Sequence, residues 1–291
     1  MTYSSISIES GQLEREENLP VYYDVYAPVA TPGTVCKVIL FLHGFKGFKD
    51  WGAFPDACEE MARAGYVVVA FNFSRNGYGS SREKLTEPDH FAEQTLSSDL
   101  QDVEDVIEAV KRGQISHSKV VMDSDHFGVI GHSRGGHTAI VAAAEFPEIR
   151  CCVTWAAVAS YLDRWDPVMV AQWREKGTTE VQNSRTGETY LLHWSVYEDA
   201  EQHADRLMAI RRVKELHIPV LFVVGKADES VPVSDSERLF LECPSGDKEI
   251  RFVEGAGHTF NTSHPFVEED FPRAFEELLN HTENWFLEYL R

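Results

Sequence analysis

The chain is short of basic residues. Its 27 lysines and arginines stand against 47 aspartates and glutamates, giving a formal net charge of −20. A field of that sign disfavours nucleic acid and anionic membrane surfaces as partners and favours solubility. No apolar run reaches the roughly 18–20 residues of a helical membrane span, so no membrane partner is expected. The opening stretch MTYSSISIES has no basic segment followed by an apolar one, and no signal peptide is expected. Cysteine is sparse: Cys36, Cys58, Cys151, Cys152 and Cys243 are odd in number and lack metal-type spacing. That argues against a disulfide framework and suits a cytoplasmic protein with reduced, mostly structural thiols. The twelve histidines are scattered without paired ligand spacing, so no metal is expected. Internal repeats and low-complexity tracts are also missing, which removes solenoid and linker architectures.

What is present is an ordinary globular composition on a chain long enough to bury a large core. Two short extended stretches, SSISIES and LPVYYDVYAP, read as antiparallel strands at one edge of a sheet. The β-branched and apolar run CKVILFLHGF follows, too short for a typical helix and of the type buried on both faces. The same type recurs in GYVVVAFNF (65–73), HFGVIGHS (126–133), RCCVTWAAV (150–158) and IPVLFVVGKAD (218–228), with KEIRFVEGAGH (248–258) as a partly alternating strand. The DSDH run at 123–126 reads as a polar turn before its strand. Helical patterns fill the intervals at 53–64, 95–112, 135–145, 233–241 and 272–290. In the second of these, Leu96, Leu100, Val103, Val106, Ile107 and Val110 make a core-facing stripe.

Alternating buried strands and amphipathic helices predict an α/β fold: a mostly parallel central sheet with helices on both faces. One connection breaks the rhythm. From 161 to 217 the chain runs without a buried strand and is rich in aromatic and charged residues. A connection of that length inside a compact domain is usually functional. It is expected to be a mostly helical cap, with a short hairpin around VQNSRTGETYLL turning at Thr186–Gly187. The expected division is a core of 1–160 and 218–291 and a cap of 161–217.

The chemistry centres on Gly131-His132-Ser133-Arg134-Gly135, a G-x-S-x-G pattern preceded by a strand and followed by a helix. A serine hydroxyl is a poor nucleophile until a base takes its proton. In this strand–turn–helix context the order of partners is serine, acid, histidine. Asp228 arrives at the carboxyl end of one downstream strand and His258 at the end of the next, on the sheet edge where open α/β sheets bind ligands. Singly, Asp228 could be a turn or capping residue and His258 an exposed loop histidine; together and in order they read as base and orienting acid. His43-Gly44-Phe45 ends the first long strand, where one oxyanion amide is needed. The donors would be the backbone N–H groups of Phe45 and Arg134. His43 reads as ordering that loop, and it is carried with Trp155 and Trp165 as a candidate lining of the substrate pocket. Core packing is the competing reading for both tryptophans. For the Arg134 side chain the alternatives are a substrate carboxylate, the cap, or a structural ion pair.

With HGFKGFKDW, GHSRGG, GKADESVP and GAGHTF in place, the chain resembles the α/β-hydrolase superfamily from about residue 20 to its C-terminal helix. Within it, the similarity is to dienelactone-hydrolase, prolyl-oligopeptidase-like and feruloyl-esterase-like enzymes. The resemblance implies serine-type chemistry without naming a substrate. Ser133 departs from the cysteine common in dienelactone hydrolases, and from the aspartate nucleophile of the haloalkane dehalogenases and epoxide hydrolases. The leading expectation is a serine esterase acting on small or medium acyl esters through an acyl-enzyme, with no cofactor. A peptidase or amidase with the same triad is the second reading, and a non-catalytic ligand-binding homologue the third. Oligomeric state is left open.

Overall fold

The computed structural model describes residues 2–15, 19–183 and 186–291. Among the described residues ten strands are formed: β1 (Ile6–Leu13), β2 (Val21–Pro28), β3 (Val35–Leu42), β4 (Val67–Phe71), β5 (Val121–His132), β6 (Ile149–Trp155), β7 (Thr178–Gln182), β8 (Thr189–His193), β9 (Val220–Gly225) and β10 (Lys248–Val253). Eight make one sheet in the order β1-β2-β4-β3-β5-β6-β9-β10, and β7 and β8 make a separate hairpin. β1, β2 and β4 pair antiparallel, and every pair from β4 to β10 is parallel. The antiparallel edge and the parallel centre are those read from the sequence.

The helices are α1 (Phe54–Arg63), α2 (Pro88–Ala92), α3 (Leu96–Lys111), α4 (Arg134–Glu145), α5 (Pro167–Lys176), α6 (Ser195–Gln202), α7 (Ala204–Leu207), α8 (Ala209–Arg212), α9 (Val233–Glu242) and α10 (Arg273–Tyr289). α1 and α10 cover one face of the sheet, while α3, α4 and α9 pack in the cluster on the other. All six residues of the α3 stripe are buried, and Thr95 caps the helix by accepting the Ser98 N–H at 3.0 Å. Central strands β4 and β9 are buried at every residue, as continuous apolar runs require.

One expectation fails locally. The DSDH segment is not a turn before the strand but part of β5, which begins at Val121. Lys37 pairs with Asp123, the register then jumps so that Val38 faces Phe127, and the intervening residues bulge out of the ladder. The Lys37–Asp123 ion pair at 2.7 Å and the Asp125 N–H donated to Asp123 stabilise that bulge. Polar side chains made the segment look like a boundary because a bulge, like a turn, leaves its residues facing water.

Between β6 and β9 the chain passes through α5, the β7–β8 hairpin and α6 to α8. Asp166 caps α5 with bonds from the Val168 and Met169 amides, and Gly177 ends it in the left-handed conformation. The hairpin lies where the sequence put it. Thr186 and Gly187 are at its tip, and residues 184–185 lie outside the described residues. Trp165, Trp173, Trp194 and Tyr197 stack edge and face through the segment's interior, with centroid separations of 5.1–5.9 Å.

Candidate functional site

Ser133 stands between β5 and α4 with φ 57° and ψ −117°, a backbone conformation that side-chain-bearing residues rarely adopt. Two glycines make the turn possible. A Cβ on Gly131 would lie 2.2 Å from the Gly135 carbonyl oxygen, and one on Gly135 would lie 2.2 Å from that of Leu42. The turn is closed by the Ser133 N–H donating to Trp155 O at 2.8 Å and by Ser133 O accepting from His137. The strain is thereby held by the sheet on one side and the helix on the other.

Asp228 follows β9 and His258 follows β10. The His258 Nδ1–H donates to Asp228 Oδ2 at 2.8 Å, which leaves Nε2 to accept the Ser133 hydroxyl at 3.0 Å. Asp228 Oδ1 accepts the Ser230 and Val231 amides at 2.8 and 2.9 Å. Burial pushes the Asp228 carboxyl up, but the His258 hydrogen bond and charge with those two amides outweigh it, so its pKa is lowered and it stays ionised.

Phe45, which follows the Gly44 that packs on the Ser133 side chain, and Arg134 line the same cavity as Ser133. Among the described residues neither backbone amide donates to a backbone or side-chain oxygen. Arg134 is the first residue of α4, so its N–H is one of the helix's free N-terminal donors, and the helix dipole adds to it. Lys46, next to Phe45, also has positive φ (58°).

These groups open onto a cavity of about 710 Å³. Its lining includes Ser133, His258, Phe45, Arg134, Trp51 and Trp165. Trp165 is therefore where a pocket residue should be, whereas the other two lining candidates are corrected. Trp155, 1% exposed, ends β6 with its side chain on the opposite face of the sheet. There it packs against Phe41, Phe54 and Phe275 and donates its indole N–H to Thr282 Oγ1 at 3.0 Å. The two-residue period of a strand decides this, since Val153 and Trp155 share a face. His43 is buried behind the loop: Nε2 accepts the Phe73 N–H at 3.2 Å and Nδ1 lies 2.9 Å from Gly44 O. Burial lowers its pKa to about 4, so it braces the loop as a neutral ring.

Four further residues shape the site; His132 stands at a variable position of the G-x-S-x-G pattern and the other three in no motif. His132 donates from Nε2 to the His258 carbonyl at 2.9 Å and so holds the loop that carries His258; burial and the neighbouring His258 lower its pKa to about 3. His137 lies with Nδ1 3.1 Å from Val158 O and Nε2 2.6 Å from Leu207 O, joining α4 to the end of α7. Tyr161 and Arg164 also line the cavity. The only signal for any of them in the sequence is position: two are within four residues of Ser133, and two begin the long connection. The Arg134 side chain does form a buried ion pair, Nε to Asp99 Oδ2 at 2.8 Å.

A family model described as the alpha/beta hydrolase family matches residues 39–270, most of the chain and all of the site above. The chain belongs to the α/β hydrolase family. Among curated relatives, this α/β hydrolase is 24% identical over 289 residues to the uncharacterized peptidase YuxL of Bacillus subtilis. The alignment takes in 98% of this chain but 40% of that protein, so the chain spans less than half of the relative's length. It is 26% identical over 258 residues to the serine hydrolase BPHL of Mus musculus, covering 83% of this chain and 78% of the relative. Among solved structures, Est1E from Butyrivibrio proteoclasticus superposes with a TM-score of 0.70 at 18% identity, over 96% of this chain and 98% of that one. The Paleococcus ferrophilus monoacylglycerol lipase superposes with 0.64 at 20% identity, over 92% and 98%. At these identities the superpositions carry the fold. Among the described residues no helix is long and apolar enough to cross a membrane.

Proposed function

We propose that this α/β hydrolase is a serine hydrolase that cleaves carboxylic esters, with Ser133 as nucleophile, His258 as base and Asp228 as the orienting acid. The observation that carries the proposal is the unbroken relay from Asp228 Oδ2 through His258 to Ser133 Oγ, opening onto the cavity. Relatives and fold neighbours named as a serine hydrolase, an esterase domain and a lipase support it.

In the proposed reaction His258 Nε2 takes the Ser133 proton as Oγ attacks the ester carbonyl. Asp228 stabilises the imidazolium without being protonated. The Phe45 and Arg134 amides hold the oxyanion, and losing one such donor costs about 2.7–4 kcal/mol in barrier. His258 then protonates the leaving alkoxide. Water, deprotonated by the same ring, attacks the acyl-enzyme; the intermediate collapses to the free acid by breaking its bond to Ser133 Oγ, which takes its proton back from His258. We read the 161–217 segment as a cap over this site, because Tyr161, Arg164, Trp165 and Gln182 supply one wall of the cavity.

The peptidase named among the relatives offers a second reading. An aminopeptidase needs an acidic group to hold the substrate's free amine, and the described lining of the cavity contains no aspartate or glutamate. The test is hydrolysis of p-nitrophenyl esters of increasing chain length against aminoacyl anilides, with fluorophosphonate labelling of Ser133. Ester turnover and labelling are expected. Anilide turnover alone supports the peptidase, and neither turnover nor labelling overturns the hydrolase.

A further inference from the structure

The charge of the cavity runs against the charge of the chain. In a protein of net charge −20, the described cavity lining carries three cations, Lys46, Arg134 and Arg164, and no carboxylate. Two of these cations lack a direct carboxylate partner among the described residues. The Lys46 ammonium donates to Gln182 O at 2.9 Å and stands 5.6 Å from the Phe45 ring centroid; Arg164 Nη2 donates to Ser230 O at 2.5 Å. Neither forms an ion pair among the described residues. Arg164 divides this cavity from a second depression that holds Asp163, Glu229 and Asp235, where Asp163 faces Arg238 at 3.8 Å.

Arg134 is different. Its charge is matched by Asp99, its Nη2 donates to Gln94 O at 3.0 Å, and its guanidinium lies against the rings of Phe45 and Tyr161 at 5.7 and 5.4 Å. The residue is 3% exposed, yet Nη1 is buried with no partner. The Tyr161 hydroxyl and the Trp165 indole N–H are likewise buried and find no acceptor beyond each other, and both residues line the same cavity. A buried guanidinium N–H without an acceptor is costly, and a carboxylate oxygen is the acceptor that satisfies it best. Arginine and indole nitrogens only donate, so the cluster is built for an acceptor.

From this we infer that the cavity is selective for esters that also carry a free carboxylate, with Lys46 and Arg164 drawing the anion in and Arg134 Nη1 and Tyr161 Oη receiving it. The inference rests on the ester-hydrolase reading and names its substrate class. Low-dielectric walls focus the field of the two unpaired cations, so the preference is expressed in kcat/KM and weakens with salt.

The test compares three ethyl esters of similar length by ethanol release: monoethyl adipate, ethyl hexanoate and ethyl 6-aminohexanoate. At low ionic strength the anionic ester is expected to exceed the neutral one in kcat/KM by about tenfold or more, with the cationic one poorest. The ratio is expected to shrink in 0.5 M NaCl, a concentration at which the Debye length is only about 4–5 Å. Removing the Arg134 guanidinium would strand Asp99, so the variants are Tyr161→Phe and the double variant Lys46→Gln/Arg164→Gln. Each is expected to lower the anionic-to-neutral ratio several-fold, a within-enzyme quantity that partial unfolding does not change. Turnover of ethyl hexanoate with an anionic-to-neutral ratio of one or less, or a ratio that both variants leave unchanged, overturns charge selection and leaves the hydrolase standing. No turnover of any of the three esters overturns both.

Discussion

One wall of the cavity is the carboxyl edge of the sheet; the other is the segment from 161 to 217. On the sheet side the proposed reactive groups are fixed twice over. His258 is tied to Asp228 by its ring and to His132 by its carbonyl, and Ser133 is strained between β5 and α4. The opposite wall holds itself together through its own aromatic cluster. It joins the core through a shared apolar cluster, in which Leu192, Val196, Leu207 and Val213 are buried with residues of α3 and α4, and through polar links that include Lys46 to Gln182, Arg164 to Ser230 and His137 to Leu207. The difference teaches a division of labour: groups that must be placed to a fraction of an ångström sit just past the ends of strands, while the other wall is built from helices and a hairpin inserted between two strands.

The comparison can be broken most forcefully at the sheet. Ser133→Ala is expected to lower ester turnover by on the order of 10⁶-fold while the urea midpoint stays unchanged. Retained turnover would remove Ser133 as nucleophile. Asp228→Asn leaves the shape of the relay but presents the wrong imidazole tautomer, and a loss of about 10⁴-fold in kcat is expected. The two tryptophans test the walls against each other. Trp155→Ala opens a cavity in the core and is expected to cost about 3–5 kcal/mol in urea unfolding. Trp165→Ala is expected to cost less stability and to change the relative kcat/KM across an acyl-chain series. Equal stability losses and an unaltered chain-length profile would erase the distinction.

The smallest effect is in pH. Burial lowers His43 and His137 to about 4 and His132 to about 3, against an ordinary value of 6.5. The unfolded chain therefore takes up protons as pH falls through 6.5, while these rings stay neutral in the fold. Their contribution to stability is present above 6.5 and is lost progressively down to about 4 for His43 and His137 and about 3 for His132. Thermal unfolding across that range should show a falling midpoint, less steep in His137→Gln. A flat profile would mean that the rings are not held neutral.

The local order of the chain was legible because it depends on side-chain chemistry alone. Continuous apolar runs that are short and β-branched read as strands buried on both faces, and the stripe from Leu96 to Val110 reads as a helix with one face in the core. The G-x-S-x-G turn is readable because only glycine avoids the clashes at 131 and 135. Serine, aspartate and histidine in order after successive strands also located the candidate relay, since a parallel sheet brings all strand ends to one edge. What only the tertiary structure decided is which way side chains face and what surrounds them. Trp155 and Trp165 look alike in the sequence, yet one lies under α10 and the other in the cavity, because strand alternation turned the first away. The bulge at 124–126 depends on β3, nearly ninety residues upstream. The positive cavity in an acidic protein comes from residues 46, 134 and 164, which no local pattern connects; folding places them together and sends the carboxylates elsewhere.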